Sequence, residues 1–313
     1  MIRYEWCTHL TGGDAQQLRD LLVRAAAYDA EPEYNRIDPD EVDRDLAAGG
    51  EVRYLVIWLT ERQEMPDGSM ADQVAGVIRF VPRSDGWADG TIVIDPDFRS
   101  IGIVTLLLER EGTDFSADGG WLASGFAGVR GWARGNHPAS GRIGDRNLLP
   151  RTRRIWKLVR PSSECGADDG GRINELTGAD DSAVAALLTA LEASDNERDR
   201  LAIAASDAPT RVALGVSNGA DLVGVVDLDL TPVHIDDIGK CAGIDYLGTA
   251  PGIVGPNRGT ALTDLLAGAG ARAANAGLDG LIVYTSSADE EFVAVGRHLG
   301  FQHDRTDVLY EIH

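Results

Sequence analysis

Ile92-Val93-Ile94-Asp95-Pro96-Asp97-Phe98-Arg99-Ser100-Ile101-Gly102-Ile103-Val104-Thr105-Leu106-Leu107-Leu108 runs from a short β-rich stretch through Pro96 into an Arg-x-x-Gly turn, then into an apolar helix. That order leaves backbone N–H groups free at a helix start, where an anion binds. A blurred copy lies in the second half: Ile244-Asp245-Tyr246-Leu247-Gly248-Thr249-Ala250-Pro251, then Asn257-Arg258-Gly259-Thr260-Ala261-Leu262-Thr263-Asp264-Leu265-Leu266. Two copies in one chain predict a duplicated fold with two phosphate-binding turns.

The surrounding elements repeat as well. In the first half, a strand over Met1–Trp6 precedes a helix over Asp14–Asp29 and a second helix opened by the box Asp38-Pro39-Asp40-Glu41. Strands over Arg53–Thr60 and Asp72–Arg83 meet at the turn Pro66-Asp67-Gly68-Ser69, and after the motif come Val129–Ala133, a helix over Pro138–Asn147 and a strand over Arg151–Arg160. Pro161–Gly171 has almost nothing to bury and reads as a linker between domains 1–160 and 172–313. The order then restarts. Arg172–Leu176 is a strand, Thr177-Gly178-Ala179-Asp180 caps a helix reaching Ala193, and Arg211–Ser217 and Asp221–Leu230 form a hairpin across Asn218-Gly219. A strand over Ala242–Thr249 leads to a helix over Gly259–Ala276, then a strand over Leu281–Tyr284, a helix to Gly300 and a closing strand over Asp307–Ile312. Internal duplication is the economical explanation.

At 313 residues the chain is long enough for two cores. No apolar run approaches a membrane span, and the first residues carry no basic-then-apolar leader, so the sequence reads as cytoplasmic, with no membrane partner. A formal charge of -21 argues against a nucleic-acid partner and suits a cationic small molecule such as an amine. The one basic cluster, Arg151-Thr152-Arg153-Arg154, reads as the solvated end of a strand. Cys7, Cys165 and Cys241 form no C-x-x-C pair, and the six histidines have no metal spacing.

The Arg-x-x-Gly turn between strand and helix, the segment Trp132-Ala133-Arg134-Gly135-Asn136-His137-Pro138-Ala139 and the ending Val295-Gly296-Arg297-His298-Leu299-Gly300-Phe301 together resemble the GCN5-related N-acetyltransferase (GNAT) family. Over nearly the whole chain the resemblance is to tandem-domain members of the actinobacterial mycothiol synthase type. It implies two α/β domains, each a mixed, mostly antiparallel sheet of six or seven strands flanked by helices. It also implies an acetyl-CoA-dependent N-acetyltransferase acting on a small amine, working as a monomer or homodimer. In such a fold the fourth and fifth strands splay apart. The pantetheine arm of acetyl-CoA then meets the fourth-strand edge, here Ile92, Val93 and Ile94 or Leu247, Gly248 and Thr249. The pyrophosphate falls on the turn amides, here Arg99, Ser100, Gly102 and Val104 or Arg258, Gly259, Thr260 and Ala261.

Departures from the family pattern set the expectations for each half. Val104 stands where Gly or Ala is expected and should crowd a phosphate, which makes the first domain a degenerate copy. Pro256, lacking an N–H, stands where Gln or Arg is usual, and Gly252-Ile253-Val254-Gly255 lengthens the loop. Val295-Gly296 replaces the Tyr that often precedes the Leu-Gly-Phe ending. Acyl transfer needs a base for the amine and an acid for the leaving thiolate. Asp245 is the candidate base and Tyr246 a candidate for the second role, although strict alternation would point them to opposite faces. The reading is a mycothiol-synthase-like acetyltransferase with chemistry in the second domain. The departures weigh against cysteinyl-glucosaminyl-inositol as its acceptor. The alternative is a non-catalytic protein that binds acyl-CoA or a partner.

Overall fold

The computed structural model describes residues 2–10, 12–64, 70–116, 119–162, 173–177, 181–204 and 210–313. The turn expected at Pro66–Ser69, most of the linker, Cys165 and the cap at Gly178–Asp180 lie outside the described residues. The first run of elements is β1 (Ile2–Cys7), α1 (Gly12–Tyr28), α2 (Pro39–Ala48), β2 (Arg53–Glu64), β3 (Met70–Pro82), β4 (Ala88–Ile94), α3 (Ile103–Glu111), β5 (Val129–Ala133), α4 (Pro138–Arg146) and β6 (Arg151–Pro161). The second repeats that order: β7 (Ile173–Glu175), α5 (Asp181–Ala190), α6 (Asp195–Ala204), β8 (Arg211–Asn218), β9 (Asp221–Ile235), β10 (Gly239–Thr249), α7 (Pro256–Asn275), β11 (Gly280–Ser286), α8 (Glu290–His298) and β12 (Gln302–Ile312).

Two compact units form, one from residues 1–154 and 306–313, the other from 155–305. In the first, β1 to β5 lie in order and Val308–Ile312 of β12 pairs antiparallel with β5. In the second, β7 to β11 lie in order and Ile155–Pro161 of β6 pairs antiparallel with β11. Among the described residues each unit thus has six strands, with one parallel pair, β4 with β5 and β10 with β11. The boundaries expected at 160 and 172 therefore need correction, because each unit takes its last strand from the other half of the chain. Both closing strands present similar apolar runs, Leu158-Val159 and Val308-Leu309-Tyr310, so composition does not distinguish them.

Alternation along the strands builds a core on each face. Tyr54, Val56 and Trp58 of β2 pack with Leu18, Leu21 and Leu22 of α1, while Leu55 joins Phe80, Leu107 and Phe115 on the other face. In the second unit Val226 and Leu228 of β9 meet Leu262, Leu265 and Leu266 of α7. Val225 and Ala213 meet Leu187 and Leu188 of α5 and Leu201 of α6. Burying each such Leu contributes roughly 1.5–3 kcal/mol. Helix α6, absent from the sequence reading, buries only Leu201 among its described side chains, and its charged surface hides it. Its signal was the box at Ser194, whose N–H and hydroxyl both donate to Glu197. The Leu-Gly-Phe ending has a direct cause: Gly300, at φ 83°, turns the chain out of α8 and buries Phe301 in the core.

Candidate active site

Strands β10 and β11 run side by side only from Cys241/Gly280 to Ile244/Val283. Beyond that point they part, and a cleft of about 630 Å³ opens between them. Its walls are Ile244–Thr249 of β10, Val283–Ser286 of β11 and the loop after β10, with Arg258, Asp289 and Phe292 also on its wall. On the far side β10 remains paired to β9 through Thr249, so only its cleft-facing edge is open. Leu247, Gly248 and Thr249 line the cleft as expected. Gly248 has a steric reason, since a Cβ there would lie 2.7 Å from Leu191 and 2.9 Å from the Tyr246 hydroxyl.

A β-bulge decides the orientation of Asp245. The register with β9 slips between Ile244, opposite Leu228, and Tyr246, opposite Asp227, which leaves Asp245 as the extra residue. Tyr246 packs beside Leu187 and Leu188, and the Asp245 carboxylate lies 3.8 Å from where a Gly243 Cβ would stand, on that same face. Strict alternation is overturned here: both residues line the cleft. Burial raises the Tyr246 phenol above its usual range and keeps it protonated at neutral pH. Asp245 accepts a hydrogen bond from Arg211 Nη2 at 3.0 Å, and Arg200 lies 3.9 Å away. Behind it, Asp227 is fully buried, and burial pushes its carboxyl above the usual carboxylate range against the pull of Arg211. Sequence reasoning missed Arg211, whose place beside Asp245 depends on two strand pairings.

Helix α7 starts at Pro256, three residues before the expected start, with Gly255 at φ 58° as its cap. At the first helical position Pro256 removes a donor that would have had no partner, so it does not damage the turn. The N–H groups of Val254, Gly255, Asn257 and Arg258 make no hydrogen bond among the described residues, whereas that of Gly259 donates to the Gly255 carbonyl at 2.9 Å. The unpartnered amides thus sit in the loop and first turn. Gly259, Thr260 and Ala261 do not line the cleft: Thr260 bonds the Pro256 carbonyl and Ala261 is buried in the core. A Cβ at Gly259 would meet only Val295, at 3.8 Å. Arg258 lines the cleft but is held by Asp289 at 2.7 and 2.9 Å, Glu291 at 3.0 Å and the Thr249 hydroxyl at 3.1 Å. The same contact holds the Asp289 carboxyl below its usual range.

In the first unit β4 and β5 pair from Ala88/Val129 to Gly90/Gly131 and then part. The space that opens is about 160 Å³ and strongly apolar, lined by Ile78, Phe80, Ile92, Leu108, Phe115, Trp121, Trp132 and Tyr310 among others. Val104 is among the residues that line it. Asn35 donates to the Trp132 carbonyl at 2.6 Å and accepts from the Arg134 N–H at 2.8 Å, occupying backbone groups of β5 just past the parting. Val93 is buried against α1, and Ile94 packs beside Ile103. Arg99 forms a two-pronged pair with buried Asp29 at 2.6 and 2.7 Å, and Ser100 and Gly102 lie in the turn at φ 65° and 85°. Among the described residues no group of His, Cys, Asp and Glu is arranged to hold a metal, and no helix is long and apolar enough to cross a membrane.

No family model matches the chain. It is 26% identical over 329 residues, 98% of this chain and 96% of the relative, to a mycothiol acetyltransferase of Pseudarthrobacter chlorophenolicus. Among solved structures, a GCN5-related N-acetyltransferase from Sphaerobacter thermophilus is 16% identical, with a TM-score of 0.57 over 98% of this chain and 95% of that one. A tandem GNAT protein from the clavulanic acid biosynthesis pathway is 13% identical, with a TM-score of 0.54 over 99% of this chain and 98% of that one. The fold is the tandem GNAT fold, and the sequence is similar to mycothiol acetyltransferases from end to end.

Proposed function

We propose that this tandem GNAT protein, an acetyl-CoA-dependent N-acetyltransferase, performs its chemistry in the cleft between β10 and β11 and acetylates a small amine there. The observation that carries the choice of unit is the volume and lining of the cleft, about 630 Å³ with Asp245 and Tyr246 on its wall against about 160 Å³ of apolar space in the first unit. A pantetheine arm takes strand hydrogen bonds along Leu247–Thr249. A pyrophosphate suits the amides from Val254 to Arg258, where the helix dipole adds positive potential. Arg258 contributes a backbone donor, while its guanidinium serves Asp289 and Glu291. The first unit, whose narrower opening is apolar and carries Val104 and Asn35, is the degenerate copy.

The reaction needs little more than placement and two proton transfers. The amine attacks the thioester carbonyl, the C–N bond forms and the C–S bond breaks. The amine's proton passes to Asp245, directly or through water, and the departing thiolate takes a proton, for which the Tyr246 phenol is the donor on the same wall. An acceptor arriving as an ammonium ion suits the chain's charge of -21; it first gives one proton to solvent and attacks as the free amine, and a cytoplasmic monomer or homodimer without nucleic-acid or membrane partners completes the reading.

The test is release of CoA from acetyl-CoA with a panel of amines that includes cysteinyl-glucosaminyl-inositol. Turnover that disappears with Asp245→Asn supports the reading. Retained CoA by mass spectrometry without turnover on any amine overturns it in favour of the non-catalytic alternative.

A further inference from the structure

The wall behind Asp245 is more built than a lone base requires. Arg211, at the start of β8 and with its side chain 17% exposed, directs Nη2 to both Asp227 and Asp245 and lies 3.5 Å from Asp229 through Nη1. Asp227 is fully buried; among the described residues its second oxygen, Oδ1, has no partner, nor has Arg211 Nε. From α6, Arg200 also reaches Asp245, while Glu197 and Arg198 act on Tyr246. A buried carboxylate without its cation is costly, so the Asp227–Arg211 contact is the fixed part of the cluster. It holds the guanidinium in place, and the reach to Asp245 follows from it.

We propose that Arg211 is a positioning residue for acetyl transfer: pinned by buried Asp227, it holds the Asp245 carboxylate against the cleft wall in the place from which it takes the amine's proton. The inference rests on the reading that Asp245 is the base. Without the guanidinium, the Asp245 carboxylate loses its donor at 3.0 Å and keeps only Arg200, 3.9 Å away. Without the charge of Asp227, the guanidinium loses the buried partner that fixes it.

The experiment measures kcat and KM for the amine separately in the full chain with Arg211→Met, Arg211→Lys and Asp227→Asn, alongside acetyl-CoA affinity by calorimetry. Arg211→Met should lower kcat by about 10²-fold, as misplacing a reacting group does, with KM and acetyl-CoA affinity unchanged. Arg211→Lys keeps a cation beside Asp245 and should recover part of the lost kcat. Asp227→Asn, which frees the guanidinium from its anchor, should lower kcat by about 10-fold. A folded Arg211→Met protein with wild-type kcat overturns the proposal. If that variant does not fold, wild-type kcat in Asp227→Asn overturns it instead. Asp245→Asn in parallel separates the two failures. Full activity there removes the base itself, whereas inactivity there with wild-type kcat in Arg211→Met removes only the role of Arg211.

Discussion

The two clefts arise from the same event, a parallel strand pair that parts after a few residues, yet they differ in volume, polarity and edge. Where β10 leaves β11, a carboxylate and a phenol come to the wall and the β10 edge stays open. Where β4 leaves β5, Asn35 takes up backbone groups, aromatic rings fill the floor and Val104 stands at the start of the helix. The loops are alike in one respect: in both, the N–H groups just before and at the start of the helix, Ser100–Thr105 ahead of Leu106 and Val254–Arg258 ahead of Gly259, make no hydrogen bond among the described residues, Pro256 having none to give. Duplication supplies the architecture twice, and a handful of side chains decides which copy has room for a ligand.

The comparison breaks most readily at Asp245. Asp245→Asn keeps the shape and removes the base, so turnover should fall roughly 10²–10⁴-fold with acetyl-CoA affinity preserved. Steady-state kinetics with calorimetry checks this, and full activity would remove the asymmetry. A smaller effect is expected at Gly255. Its φ of 58° and its place among the free amides make Gly255→Val both strained and obstructive, and acetyl-CoA affinity should fall by about 10-fold or more. Gly259→Ala should bind as wild type, because its side chain would face Val295 and not the cleft. Reversed results would return the phosphate site to the turn expected from the sequence. Smaller again is the effect of Val104→Gly. Wild-type protein should bind one equivalent of acetyl-CoA per chain and the variant should add a weak second event in the titration; two similar events in the wild type would make the units equals.

The smallest effect concerns the pair that holds Arg258 and its pH dependence. The Asp289 carboxyl is lowered in the folded state by Arg258, so the stability it contributes is present above the unfolded carboxylate range and is lost as pH falls through the folded value. Asp289→Asn, which can still cap α8, should lower Tm by about 1–4 °C at neutral pH, and the gap should close in acid. A gap that persists in strong acid would mean the carboxylate's charge is not the cause.

The repeated element order, the Asp38 cap and the glycine ending at Gly300 were legible because each is local: a few neighbouring residues set the backbone and its partner. The wall of the second cleft was legible for the same reason, since Leu247–Thr249 follow from the motif, whereas of Ile92–Ile94 only Ile92 lines the first opening. The remainder depends on pairing at a distance. The bulge at Asp245 exists only in the register with β9. The guanidinium groups of Arg99 and Arg258 go to Asp29 and Asp289, far off in sequence, and therefore serve the fold before any anion. Asn35 reaches β5 across nearly a hundred residues of chain, where no motif links the two.

The exchanged closing strands carry a consequence for how the molecule comes into being. On the ribosome five strands of the first unit come early, but the partner of Ala133 is Val308. Its sheet edge at β5 must wait exposed until the whole of the second unit's sheet has been made, a delay that chaperones or slow association would have to cover. The second unit already has its own sixth strand, Ile155–Pro161, and can close as soon as β11 is out. Order of synthesis therefore favours the second unit maturing first, and the older-born unit finishing last. A protease cut in the segment between them would leave two fragments that still need each other's ends.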